Sequence, residues 1–232
     1  MNDRQQQLLN LVIESYIKTA EPVGSNLLAE KGVLGVSGAT LRNEMRALED
    51  EGYLSHPHTS AGRVPTEKGY RFYIENVDYK SGKLGKKEND VLGMSVEECR
   101  MLNVECREKQ LTKDLAELSG ETMLLAFSPD RVYYTGLSNL FSKPEFTELQ
   151  LVADISQIFD HCEECLKTFF DEVQNEPKYF IGREHSFGNA LSVLAFRFGD
   201  QSLLMLLGPM RMNYRRNHAL MDRARSLLSS RP

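Results

Sequence analysis

Tryptophan is absent from the 232 residues, and cysteine occurs only four times, at Cys99, Cys106, Cys162 and Cys165. Thiols so few and so scattered exclude the disulfide framework of a small secreted scaffold. No apolar run approaches the roughly 18 residues of a membrane-spanning helix. The opening MNDRQQQLL lacks the apolar stretch of a secretory signal, so a cytoplasmic protein with no membrane contact is expected. A charge excess of one sign is missing too. The formal net charge of −5 argues against a protein that coats nucleic acid, but it leaves room for a local basic surface, because phosphate contact depends on where the charge sits. There is no P-loop, dinucleotide fingerprint or Ser-His-Asp ordering. No catalytic residue is assigned, no enzyme activity is expected, and no cofactor is called for.

HCEEC at 161–165 has the spacing of two zinc ligands, but a tetrahedral site needs a second pair, and no nearby Cys or His pair supplies it. The same residues fall in a helical pattern, LVADISQIFDHCEECLKTFF, which sets Ile158, Cys162, Cys165 and Phe169 on one face. Packed thiols on a helix are expected here, and no metal site.

At the N-terminal end, Leu8, Leu9, Leu11, Val12, Ile13, Tyr16 and Ile17 make a broad apolar stripe that predicts a helix over 3–19. Asp3 and Gln6 have the spacing of a capping box. After the break at Glu21-Pro22-Val23-Gly24, a short helix over 25–31 buries Leu27 and Leu28 and stops at Gly32. Ser37 then caps a third helix that runs to about Glu51 and is closed by Gly52. YLSH at 53–56 and YRFYI at 70–74 read as strands around the stretch HTSAGRVPTEKGYRFY at 58–73, with the alternation of Tyr70 and Phe72 packing the returning strand on the helices. Three helices followed by a hairpin is the plan of a winged helix-turn-helix, assigned to residues 1–76.

The third helix indicates how such a domain would work. Leu41, Met45 and Leu48 share a buried face; opposite lie Ala39, Asn43, Arg46 and Asp50, flanked by Thr40 and Arg42. Asn pairs with adenine, Arg with guanine, and a methyl such as that of Ala39 meets thymine. Glu44, Glu49, Asp50 and Glu51 cluster later, as expected if only the N-terminal half enters a groove. In the wing, Arg63, Lys68 and Arg71 face one acid, Glu67, beside small backbone-donating residues, a composition suited to phosphate or the minor groove. The candidate DNA-binding set is Ser37, Ala39, Thr40, Arg42, Asn43, Arg46, His58, Thr59, Ser60, Gly62 and Arg63. His56 and His58 fit either phosphate contact or a turn.

Beyond this domain, 77–90 is polar, charged and glycine-containing and reads as a linker. A helix to about Ser119 follows, with Met101, Val104, Leu111, Leu115 and Leu118 spaced for either a short coiled coil or a helix lying on the next domain. Strands are expected at 122–127, 131–136, 178–182, 190–198 and 201–207, and helices over about 145–173 and 211–229. Gly199-Asp200 marks a hairpin turn. The fold class is α+β, with helices against an antiparallel sheet over 91–232. The C-terminal arginines (Arg211, Arg215, Arg216, Arg223, Arg225 and Arg231) fit a solvated helix face, because Met212, Leu220, Met221, Leu227 and Leu228 supply a core stripe; a second nucleic-acid contact is the alternative.

These blocks are similar to the HrcA family of heat-inducible transcription repressors of bacteria. The resemblance rests on EPVGSNLLAE at 21–30, VSGATLRNEMRALEDEGYL at 36–54, HTSAGRVPTEKGYRFY at 58–73, YTGLSNLFSKPEF at 134–146, IGRE at 181–184 and LGPMRMNYRRNHALMD at 207–222. It implies a winged-helix domain, a GAF-like domain, and binding as a homodimer to an inverted-repeat operator in double-stranded DNA before chaperone operons. It also implies control by the chaperonin system. In the family a dimerising domain is inserted within the GAF-like domain, whereas here LLAFSPDRVYYTGLSNLF passes almost directly across that place. Dimerisation would then use another surface, either the helix over 91–118 or the GAF-like sheet and helices. Two other functions are open to the same residues. One is an interaction module with a degenerate winged helix that senses chaperonin or unfolded protein; the other is a small-molecule-gated regulator.

Overall fold

The structure is a computed structural model and describes residues 1–32, 34–57, 62–98, 103–199 and 201–229. The chain divides into two compact units, Met1–Val77 and Asp78–Pro232.

In the first unit, helix α1 (Asp3–Thr19) is capped by Asn2, which exchanges hydrogen bonds with Gln5. The capping box therefore sits one residue earlier than the Asp3/Gln6 spacing predicts. Leu8, Leu9, Val12 and Ile13 are buried. After α2 (Ser25–Glu30), helix α3 (Gly38–Asp50) begins at Ser37 and buries Leu41, Met45 and Leu48, as its periodicity predicts. Strands β1 (Leu54–Ser55) and β2 (Val64–Pro65) pair antiparallel.

The returning strand expected at 70–74 is a helix, α4 (Glu67–Asn76). Thr66 caps it, accepting from the Gly69 N–H at 3.1 Å while its own hydroxyl donates to the Gly52 carbonyl at 2.7 Å. Gly69 lies so close to β1 that a Cβ would sit 2.4 Å from the Tyr53 carbonyl oxygen. Tyr70 and Tyr73, one turn apart, are the buried rings, while Phe72 packs edge-on to Tyr53. Spacing by three, with a capping threonine ahead of it, outweighs the alternation of Tyr70 and Phe72.

In the second unit, residues 77–90 are more ordered than a linker. Tyr79–Ser81 forms a 3-10 turn, α5 (Lys86–Glu98) starts soon after, and both lie against α10 (Tyr214–Ser229). The Arg216 guanidinium reaches Glu88 at 2.8 Å. The helix expected from 91 to about Ser119 is two helices: residues 91–98 belong to α5, Cys99 and Met101 lie outside the described residues, and the later part is α6 (Val104–Ser119). Leu111 and Leu115 of α6 are buried where the helix crosses β3, so it lies on a sheet.

That sheet holds β3 (Thr122–Ser128), β4 (Arg131–Thr135), β5 (Lys178–Ile181), β6 (Leu191–Phe198) and β7 (Ser202–Pro209), in the order β4-β3-β7-β6-β5, every pair antiparallel. Leu124, Ala126, Val193, Ala195, Leu203 and Met205 form one core with α7 (Leu137–Phe141), α8 (Leu149–Asp160) and α9 (Cys162–Phe169). The alternate residues Met123, Leu125, Leu194, Phe196, Leu204 and Leu206 point the other way and are buried on the side of α6 and α10. Cover on both faces is why β3, β6 and β7 read as continuous apolar runs. Helix α7 was not apparent in the sequence, and the helix expected over 145–173 breaks at His161, whose backbone leaves the helical region.

Cys162 is 2% exposed and burial pushes its thiol up to about 11. Cys165 donates to the Ser186 carbonyl at 3.4 Å. Among the described residues no cluster of three or more His, Cys, Asp or Glu side chains is placed to hold a metal. Ser128 faces Arg131 across the β3–β4 turn, so the connection that the resemblance associates with an inserted domain is a tight hairpin. Next to β3, Glu121 is 3% exposed and meets the Lys143 ammonium at 2.6 Å. Burial raises its carboxyl to about 7, against the charges of Lys143 and Arg211.

Candidate nucleic-acid interface

Helix α3 presents one continuous polar stripe. Ala39 lies three and four residues before Arg42 and Asn43, which lie four and three before Arg46, and all four are exposed. Among the described residues, the side chains of Arg42, Asn43 and Arg46 make no hydrogen bond or ion pair. Long polar side chains on a rigid helix, with no internal partner, are available to an external one.

Ser37 and Thr40 have a different task. Ser37 Oγ accepts from the Thr40 N–H at 3.2 Å and lies 3.0 Å from the Thr40 hydroxyl, so both side chains close the first turn of α3. Glu44, one of the acids that cluster later in the helix, is 8% exposed and accepts from Arg4 Nε of α1 at 2.6 Å. Its charge is matched inside the unit.

Arg63, Lys68 and Arg71 are engaged within the unit as well. Arg63 is only 15% exposed in its side chain, and its guanidinium donates to Glu49 Oε2 at 3.1 Å. The other Glu49 oxygen pairs with His56 Nδ1. Burial alone would raise the Glu49 carboxyl, but the His56 hydrogen bond and the Arg63 charge outweigh it and hold it below its usual value. Lys68 donates to the Glu51 carbonyl at 2.8 Å and lies 4.3 Å from the Tyr53 ring centroid, closing the C-terminal end of α3. Arg71 pairs with Glu67 at 2.8 Å. Among the described residues, Arg63, Lys68 and Arg71 therefore serve to attach the segment to α3 and α4, and Arg63 is not the outward-reaching cation that the composition predicts.

The backbone carries the same attachment. Arg63 exchanges hydrogen bonds with Val23, N to O at 2.9 Å and 2.8 Å. Gly62 passes so close that a Cβ would lie 2.3 Å from the Val23 carbonyl carbon. Gly62 and Arg63 are thus seated against the connection between α1 and α2. His58, Thr59 and Ser60 lie outside the described residues. Glu49, the hub of this attachment, was not singled out from sequence, because nothing local distinguishes it from its acidic neighbours.

Comparison with known proteins follows the same outline. The chain is 56% identical over 77 residues to the heat-inducible transcription repressor HrcA of Brevibacillus brevis, a match covering 33% of this chain and 23% of that protein. It is 42% identical over 125 residues to the protein of that name from Clostridium perfringens (strain ATCC 13124), covering 54% of this chain and 37% of that one. The matches thus span well under half the length of these curated relatives. A crystal structure described only as that of a hypothetical protein at 2.2 Å resolution shares the fold over 99% of this chain and 98% of its own, with a TM-score of 0.79 at 20% identity. The family model described as HrcA protein C terminal domain matches residues 86–217, more than half of the chain. The chain belongs to the HrcA family.

Proposed function

We propose that this chain is a sequence-specific DNA-binding transcription repressor. In this reading the first unit is a winged helix-turn-helix and α3 enters the major groove. The second unit is a GAF-like regulatory domain. The single observation that carries the reading is the exposed stripe Ala39, Arg42, Asn43 and Arg46, whose polar members are unpaired among the described residues while Arg4, Arg63, Lys68 and Arg71 around it are engaged. The names of the relatives, heat-inducible transcription repressors, support it.

Asn43 reads adenine, Arg42 and Arg46 take guanine or phosphate, and the Ala39 methyl meets thymine. Ser37 and Thr40 set the start of the helix. His58, Thr59 and Ser60 meet the sugar-phosphate backbone, and Gly62 and Arg63 fix the root of the wing. The operator is an inverted repeat before chaperone operons, bound by a homodimer, because two-fold symmetry in the site requires it in the protein. The chaperonin system modulates this activity, and the protein acts in the cytoplasm. Among the described residues no helix is long and apolar enough to cross a membrane.

Fluorescence anisotropy tests the reading, with an inverted-repeat duplex selected from a random pool set against a shuffled duplex of equal length. A repressor prefers the selected duplex by a factor of about a thousand or more. Equal affinity for both, from folded protein, overturns it in favour of a module that binds chaperonin or unfolded protein.

A further inference from the structure

Within the second unit, a cleft of about 460 Å³ opens between the 79–89 segment and α10. Its walls include Tyr79, Lys80, Asn89, His218, Asp222 and Arg223. Tyr79 stacks on His218 with centroids 4.3 Å apart, which fastens the segment to the helix. Burial lowers the His218 imidazole, so the ring is neutral near pH 7 and adds no charge to this wall.

The charges are unevenly matched. Two other arginines of α10 have acidic partners, Arg216 on Glu88 and Arg225 on Asp222, each at 2.8 Å. That leaves the one acid of the cleft, Asp222, already committed to Arg225. Arg223 has no such partner: its Nε is shielded from solvent and lacks a hydrogen-bond acceptor among the described residues. The Lys80 ammonium, on the facing wall, makes no ion pair among the described residues. A shielded guanidinium donor without an acceptor calls for an explanation, and a planar guanidinium that lines the same cleft as a second cation suits a bidentate oxyanion.

The geometry points to an oxyanion-binding site in this cleft, for a small metabolite carrying a phosphate or carboxylate group held between Arg223 and Lys80. Binding is read without DNA, so the site stands or falls apart from the repressor reading. The test is an amide and arginine Nε–H NMR titration with inorganic phosphate, with acetate, and with chloride at matched ionic strength. Phosphate or acetate, but not chloride, is expected to give saturable shifts at Gly82, Asn89, Ala219 and Arg223; which of the two saturates at lower concentration names the group. R223Q and K80Q each raise the apparent Kd at least tenfold, and Lys80 is exposed, so K80Q leaves the fold intact. Shifts that fail to saturate with either anion, or a Kd unchanged in both variants, overturn the proposal.

Discussion

Glu49 of α3 and Arg63, the residue before β2, meet at 3.1 Å, with the arginine side chain 85% covered, and this pair joins α3 to the segment that leads into β2. Because Arg63 is shielded, the two partners are unequal. Removing Glu49 leaves a covered guanidinium without its counter-charge, whereas removing both leaves neither charge stranded. A double-mutant cycle with E49Q and R63M, read by urea unfolding, should give a coupling of about 1–2 kcal/mol, with E49Q the more damaging single change. Folding lowers the Glu49 pKa, so this contribution is present above the ordinary value of 4.5 and is lost as pH falls through the lower folded-state value.

The salt dependence of DNA binding separates outward from inward cations. R42A and R46A should each reduce the slope of log K against log salt by up to about one unit. R63A should weaken binding through the wing's placement and leave the slope unchanged. Parallel titrations between low and moderate salt distinguish the two behaviours, and a slope loss in R63A would place that side chain on phosphate.

Gly62 is required by a close approach. With a Cβ 2.3 Å from the Val23 carbonyl carbon and 2.4 Å from its oxygen, alanine must push backbone from backbone. G62A should destabilise the first unit by about 1–3 kcal/mol, seen as a lower melting temperature for that unit.

In the second unit, folding raises the Glu121 pKa from 4.5 to about 7, so the folded chain holds this proton more tightly than the unfolded one. Its contribution to stability is greatest below pH 4.5 and falls as pH rises toward 7, by a total on the order of 3 kcal/mol. E121Q should flatten that part of the stability–pH curve, measured by urea midpoints across the window.

The elements that periodicity alone determines were legible. The buried stripe of α3 and its opposite face follow directly from the spacing of Leu41, Met45 and Leu48, and the five apolar runs of the sheet are strands. YRFYI was misread because Tyr70 and Phe72 suit a strand while Tyr70 and Tyr73 suit a helix; the decision lies with Thr66, which caps the turn, and Gly69, which admits it beside Tyr53. The role of Arg63 was out of reach for a different reason. Whether a basic residue in a loop points to solvent or to an acid 14 positions away is set by tertiary packing. Composition therefore overstated the free charge of residues 62–73, whereas the stripe on α3 is open to a partner.

The central claim, that this stripe reads base edges, is tested most directly by the affinity of N43A for selected operator and for shuffled DNA. Loss of the amide contact should cost about 1–3 kcal/mol on the operator and much less on shuffled DNA, so the specificity ratio collapses while the protein stays folded. An unchanged ratio in folded N43A would contradict the account.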